Sequence, residues 1–224
     1  MILKFSVFKP YSDKISHGIT TKKMGSFNDS EPGFETQLAE FKKIAPNPIF
    51  SHQMHGDKVI VVNEKPKKHF QADAFITNKP GLNLVIKVAD CQGILIFDPI
   101  NSVIGAVHAG WRSSALNIVG KTINKMKEIF NTNPSDLFIG ISPSLGPCCA
   151  EFSEPEKELP AFMKPYIKNK HVDLWQATID QLKSIGVPKK QIELSKKCTK
   201  CNPDKYFSHR NKDLGRMAVF ISLR

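Results

Sequence analysis

Four apolar runs rich in Val, Ile, Leu and Phe, at Asp73–Thr77, Leu82–Val88, Gly93–Phe97 and Val103–Val107, follow one another with no helical segment between them. Strands joined so directly pair antiparallel, which points to an α+β fold rather than to alternating βαβ units. Runs of the same character recur at Lys4–Phe8, Lys58–Val62, Leu137–Ile141 and Met217–Leu223. Helical signals are fewer. Leu116, Val119, Ile123, Met126 and Phe130 fall on one face of a helix, with Ser113 or Ser114 placed to cap its start. A second helix covers Leu174–Ile185 and stops at Gly186, a residue suited to a left-handed terminus.

With 224 residues the chain can hold one large domain or two small ones, and no repeat or low-complexity linker divides it. A chain of this size buries roughly 70% of its unfolded surface, enough for a core without disulfides. The pattern therefore predicts one domain over residues 1–224, with a mixed, largely antiparallel β-sheet core and flanking helices.

One hairpin gives the sharpest local expectation. Asp98-Pro99-Ile100-Asn101 reads as a turn with Pro at its second position, so the runs on either side pair antiparallel. Placing Asp98 opposite Asn101 sets Cys91 opposite His108, where a thiol and an imidazole can share a metal or a proton.

Composition narrows the partners. A content of 41% hydrophobic and 24% charged residues excludes disordered and collagen-like classes. The 32 Lys and Arg against 21 Asp and Glu leave a charge of +11, which favours an anionic partner: nucleic acid, lipid headgroup or phosphorylated small molecule. The run Lys65, Lys67, Lys68 lacks interleaved aromatics, which argues for a basic solvated surface over a nucleic-acid platform. No apolar stretch reaches the ~20 residues a membrane span needs, and Leu82–Phe97 is broken by Asn83, Lys87, Asp90 and Gln92. Lys4 and Lys9 interrupt the first apolar stretch, unlike a signal peptide. Five cysteines, an odd number, read as reduced thiols of a cytoplasmic protein.

Chemistry-bearing residues gather in ordered motifs. Ser51-His52-Gln53-Met54-His55-Gly56, Ala89-Asp90-Cys91 and His108-Ala109-Gly110-Trp111-Arg112 come first. Ser142-Pro143-Ser144-Leu145-Gly146-Pro147-Cys148-Cys149, Cys198-Thr199, Tyr206-Phe207-Ser208-His209-Arg210 and Leu214-Gly215-Arg216-Met217 follow. In this series the chain resembles the bacterial laccase-domain proteins, formerly called polyphenol oxidases. They are now regarded as zinc-dependent purine nucleoside phosphorylases with adenosine deaminase activity.

The resemblance implies a metal site of two His and one Cys, here His55, Cys91 and His108, with purine nucleoside and phosphate as small-molecule partners. Expected products are adenine or hypoxanthine and ribose 1-phosphate, with methylthioadenosine a further substrate. Three protein ligands leave a fourth position open, the arrangement of a catalytic zinc. Arg112, Lys22, Asn28 and the helix start after Ser113 are the expected anion and substrate contacts, Lys22 standing where the family carries Arg. Asp73 and Asp90 are candidates for the general acid. The zinc deaminase pattern of H-x-E with P-C-x-x-C is absent.

Other readings of the same residues stay open. A metal-free cysteine hydrolase would use Cys91 as nucleophile and His108 as base, with little need of His55. A copper oxidase is disfavoured because the seven His residues include no H-x-H pair. A structural zinc module around Cys198-x-x-Cys201, joined by Cys148 or Cys149, rests on a weak motif.

Overall fold

The computed structural model describes residues 1–66 and 70–224, so Lys67 and Lys68 of the basic run lie outside the described residues. The strands in chain order are β1 (Ile2–Leu3), β2 (Ile15–Thr20), β3 (Pro48–Ile49), β4 (Val59–Val61), β5 (Ala74–Thr77), β6 (Asn83–Val88) and β7 (Gln92–Asp98). They continue as β8 (Val103–Ala109), β9 (Phe138–Ile141), β10 (Ile167–Lys168), β11 (His171–Val172), β12 (Ile192–Leu194) and β13 (Met217–Leu223). The α-helices are α1 (Phe34–Lys42), α2 (Trp111–Ala115), α3 (Ile118–Phe130), α4 (Pro155–Glu158) and α5 (Leu174–Ser184).

Two mixed sheets form, in the orders β1-β2-β13-β6-β3 and β12-β9-β7-β8-β5-β4, with β10 and β11 a separate hairpin. Only the β3/β6, β4/β5 and β12/β9 pairs are parallel among the described strands. The α+β expectation holds.

The side-chain alternation of β7 explains the layering. Leu95 and Phe97 point into a core shared with Ile19, Leu84, Ile86 and Val219 of the first sheet. Ile94 and Ile96 point the other way, against Val119, Ile123 and Met126 of α3 and Leu182 of α5. A strand covered on both faces reads as an unbroken apolar run. The outer face of the first sheet is covered in turn by Phe41 of α1, which packs with Phe27, Val85 and Phe220.

Three local expectations are corrected. Lys4–Phe8 is not a strand: Ser6–Tyr11 is a 3-10 helix, and Phe5 and Phe8 both enter the core. Residues three apart share a face in that geometry, whereas a strand would send them to opposite faces. The α3 helix is capped not by Ser113 or Ser114 but by Asn117, whose φ of 55° ends a separate short helix and whose side chain accepts the Gly120 N–H at 3.2 Å. Leu116 thus falls between two helices and is 45% exposed.

The third correction is the hairpin register. Asp98 pairs with Val103 and Gly93 with His108, so the turn is longer than expected. The Asp98 carboxylate accepts the N–H groups of Ile100 and Asn101 at 2.9 and 3.0 Å, and Ser102 takes a φ of 53°. The shift is two residues. An even shift leaves every side chain on its expected face, so Cys91 and His108 still approach each other without being directly opposed.

Candidate functional site

The site is assembled by one buried carboxylate. Asp73 precedes β5, is 1% exposed, and accepts four hydrogen bonds. Its Oδ2 takes the Met54 and Gly56 N–H groups at 3.1 and 2.9 Å. Its Oδ1 takes the His55 N–H at 2.9 Å and faces His108 Nδ1 at 2.8 Å. Burial alone would raise its pKa, yet the hydrogen bonds from His108, Gly56 and His55 hold the carboxyl below its ordinary value. An ionised, four-fold acceptor has no proton to give, so Asp73 is a positioning group rather than the general acid.

His55 owes its place to that carboxylate. Its φ is 59°, a left-handed conformation that costs a non-glycine residue roughly 1–2 kcal/mol. Three consecutive N–H groups converging on Asp73 offset that cost. Asp90 is also left-handed, at a φ of 80°. Its carboxylate accepts the Thr199 hydroxyl at 2.5 Å and the Arg210 N–H at 2.7 Å, which fixes the backbone that carries Cys91. Both oxygens of Asp90 are thereby engaged in holding loops together.

His55, Cys91 and His108 offer ligand atoms that all lie within 4.8 Å of one another. Cys91 Sγ is 3.9 Å from His55 Nε2, and the two imidazole rings are 4.7 Å apart and nearly perpendicular. Gly110 makes this convergence possible, because a Cβ there would stand 2.9 Å from His55 Cδ2 and 3.0 Å from Cys91 Sγ. His108 is buried and His55 is exposed. Burial pushes the Cys91 thiol up, but the charge and hydrogen bonds of His108 and His55 bring it down to about 6. For His108, burial lowers the pKa, and Cys91 and Asp73 overcome this and raise it to about 9.

The donor set suits a metal. Asp73 takes the Nδ1 proton of His108, which fixes the tautomer and leaves Nε2 as the ligand atom, the usual role of a carboxylate behind a metal-binding His. Two imidazoles and one thiolate fit zinc with a position left open, and the same three donors form the in-plane set of a blue-copper centre.

This cluster opens on a cavity of about 660 Å³, a volume suited to a nucleoside-sized ligand. Arg112 lines it and stacks over Trp111 at 4.2 Å, and no carboxylate pairs with Arg112 among the described residues. Arg210 and Arg216 line it too. Arg210 is tethered to the Glu151 carbonyl at 2.6 Å, and Arg216 to the carbonyls of Leu214 and Gly215 at 2.7 and 2.9 Å. Asn28 is a lining residue, its amide held by the Leu214 carbonyl at 2.9 Å.

Two expected anion contacts lie elsewhere. Lys22 does not line the cavity; its ammonium is 3.0 Å from Asp213 and sits over the Phe207 ring. Nor does a helix start after Ser113 face the cavity, since Ser113 and Ser114 are buried inside α2, a helix of five residues. Sequence reasoning missed Arg210 and Arg216 as cavity residues, although the motifs that contain them were legible. It also missed Gln53, whose amide clamps the backbone of Lys87 through two bonds of 2.8 Å.

The family model described as "Multi-copper polyphenol oxidoreductase laccase" matches residues 34–224. The chain belongs to this laccase-domain family. A relative named purine nucleoside phosphorylase from Bacteroides thetaiotaomicron is 30% identical, over 93% of this chain and 90% of its own length. A second of that name, YfiH of Escherichia coli, is also 30% identical, over 79% of this chain and 74% of its own. Among solved structures, a YfiH protein of Bacillus licheniformis superposes with a TM-score of 0.83 at 26% identity, covering 94% of this chain and 93% of that one. The YlmD protein of Geobacillus stearothermophilus gives a TM-score of 0.85 at 24% identity, covering 96% and 94%. The laccase-domain fold thus comes with the family, and the Bacteroides and Escherichia relatives both carry the name purine nucleoside phosphorylase. No helix among the described residues is long and apolar enough to cross a membrane.

Proposed function

We propose that this laccase-domain protein is a cytoplasmic, zinc-dependent purine nucleoside phosphorylase that converts adenosine or inosine and phosphate to the free base and ribose 1-phosphate. The observation that carries the reading is the His55, Cys91 and His108 cluster opening on a cavity lined by Arg112, Arg210 and Arg216. Phosphorolysis needs an anion brought to the anomeric carbon and a proton for the departing base. Arg112 offers phosphate a guanidinium fork held in place by Trp111. His52 and His209 also line the cavity and are the imidazoles available to protonate the base, Asp73 and Asp90 being engaged in fixing loops. Zinc held by His55, Cys91 and His108 would supply Lewis acidity toward an oxygen of a reactant. Turnover of adenosine and inosine, with and without phosphate, in the wild type and in His55→Ala, tests this reading. Base release that needs phosphate and fails in the variant together with the loss of one zinc per chain supports it; zinc-free, active protein defeats it. Inosine appearing from adenosine in the same incubations would report the deaminase activity.

One observation favours a second reading. Asp73, His108 and Cys91 form a relay in which the carboxylate orients an imidazole beside a thiol of lowered pKa, the arrangement of a cysteine hydrolase. His55 separates the two, because a hydrolase of this kind survives His55→Ala and a metal enzyme does not.

A further inference from the structure

A second cluster of metal-binding side chains stands apart from the cavity. Cys148 and Cys149 lie in the turn after Gly146-Pro147, and Cys198 and Cys201 lie in the loop that follows β12. Residues 150–197 separate the pairs in the chain, yet all four sulfurs lie within 4.8 Å of one another. Cys201 Sγ is 3.4 Å from Cys149 Sγ and 3.7 Å from Cys148 Sγ. Four sulfurs around a zinc at Zn–S distances of about 2.3 Å form a tetrahedron with edges of about 3.8 Å. These two separations match such an edge to within a few tenths of an ångström. Sulfurs joined in a disulfide would be about 2.0 Å apart.

The loops are held in position by contacts that do not involve sulfur. Ser144 bridges to Cys198, its N–H donating to the Lys197 carbonyl at 3.2 Å while its own carbonyl accepts the Thr199 N–H at 3.0 Å. The Cys198 carbonyl accepts the Asn202 side-chain amide at 2.8 Å. Trp175 donates to the Ser144 hydroxyl at 2.7 Å from the other side. Backbone anchoring of this kind puts the donors in place before any ion arrives. Cys198 is buried, Cys149 half-buried, and Cys148 and Cys201 exposed, so an ion can enter from solvent.

We propose that Cys148, Cys149, Cys198 and Cys201 bind one zinc ion as a closed four-thiolate site that ties the 146–149 turn to the 198–201 loop. Each thiol gives up its proton to solvent on binding. With four protein donors no position remains for substrate, so the role is structural. The site has a mechanical link to the first cluster, because Thr199, next to Cys198, is the residue whose hydroxyl holds Asp90.

Elemental analysis of the full chain, purified from zinc-replete cells without chelator, tests the proposal. The wild type should carry two zinc ions per chain, Cys148→Ser with Cys201→Ser one, and His55→Ala one. One zinc in the wild type, lost in His55→Ala and kept in the double serine variant, overturns this proposal and leaves the proposed function standing. The reverse pattern defeats the function and leaves this site standing. A disulfide among the four cysteines under non-reducing mass spectrometry also overturns it. Should the serine variants not fold, cobalt(II) loaded into His55→Ala decides: the intense charge-transfer and visible bands of a tetrahedral four-thiolate centre support the site, and their absence overturns it.

Discussion

His55, Cys91 and His108 present three donors of two kinds to a cavity, whereas Cys148, Cys149, Cys198 and Cys201 present four donors of one kind to each other. Behind the first group stands a buried carboxylate that fixes one imidazole and the backbone of another; behind the second stand main-chain loop contacts and the uncharged side chains of Asn202 and Trp175. The first is incomplete without a further ligand and the second is saturated. Open coordination with tuned outer partners belongs to chemistry, and closed coordination belongs to holding loops together. Asp90 joins the two, since it precedes Cys91 and is gripped by Thr199.

Removing a donor gives the largest expected effect and the plainest way to break the comparison. Cys91→Ser should lower phosphate-dependent base release by more than the ~10–100-fold typical of losing an outer partner. Cys148→Ser should leave the initial rate near that of the wild type. Equal losses in initial-rate assays of the two variants would erase the distinction between a working and a holding cluster.

Acid probes both clusters, since protonation of the donors releases metal. A third imidazole sets the pH at which unfolding itself intervenes. His17 is buried, and its Nε2 accepts the Phe5 N–H at 3.0 Å, which requires the neutral ring. Burial and then the charge of Lys4 lower its pKa from 6.5 to about 4. Between those values the unfolded chain binds the proton and the folded chain does not, so stability rises with pH across the window. The contribution is complete above pH 6.5 and is lost as the pH falls to about 4, a total of about 3 kcal/mol. The unfolding free energy of metal-stripped protein, measured by denaturant titration, should fall by about this amount between pH 7 and pH 4, and His17→Gln should flatten the dependence. Metal release that precedes this transition belongs to the clusters; release that coincides with it belongs to unfolding.

Asp73→Asn sharpens the contrast in what stands behind each cluster. The amide keeps the shape but loses the charge that accepts His108 Nδ1–H and three backbone N–H groups. Competition with a chelator should show zinc held ~10–100-fold more weakly at the His55 site. The four-cysteine site should be unmoved. An equal weakening of both would mean that the two are coupled through Asp90.

How much of this was legible before folding differs between the two clusters for the same physical reason. Strands covered on both faces, such as β7, β8 and β13, announce themselves as apolar runs. The β2 strand, Ile15–Thr20, does not, because Ser16, His17 and Gly18 interrupt it and its pairing with β13 defines it. Two- and three-residue strands such as β3 and β12 are likewise defined by their parallel partners. The His and Cys residues of the first cluster stand in motifs close in sequence to strand ends, so the family resemblance names them. What places His55, a left-handed backbone held by Asp73, has no signature in residue order. The four cysteines are more hidden still, since the contact between a 146–149 turn and a 198–201 loop is tertiary, and C-x-x-C alone carries too little information.

The smallest expected effect concerns Arg112, and it asks whether the open cluster is open to phosphate. The guanidinium stacks on Trp111 and has no carboxylate partner among the described residues, unlike Lys22, which Asp213 occupies. Arg112→Lys keeps the positive charge and loses both the fork and the stacking. One charge-assisted hydrogen bond lost corresponds to about a tenfold weakening. The KM for phosphate should therefore rise about tenfold while the KM for the nucleoside and the zinc content stay unchanged. Lys22→Ala supplies the control, because a residue outside the cavity should move neither constant. If Lys22→Ala raises the phosphate KM and Arg112→Lys does not, the anion enters from the Asp213 side, and the cavity beside Trp111 serves the nucleoside alone.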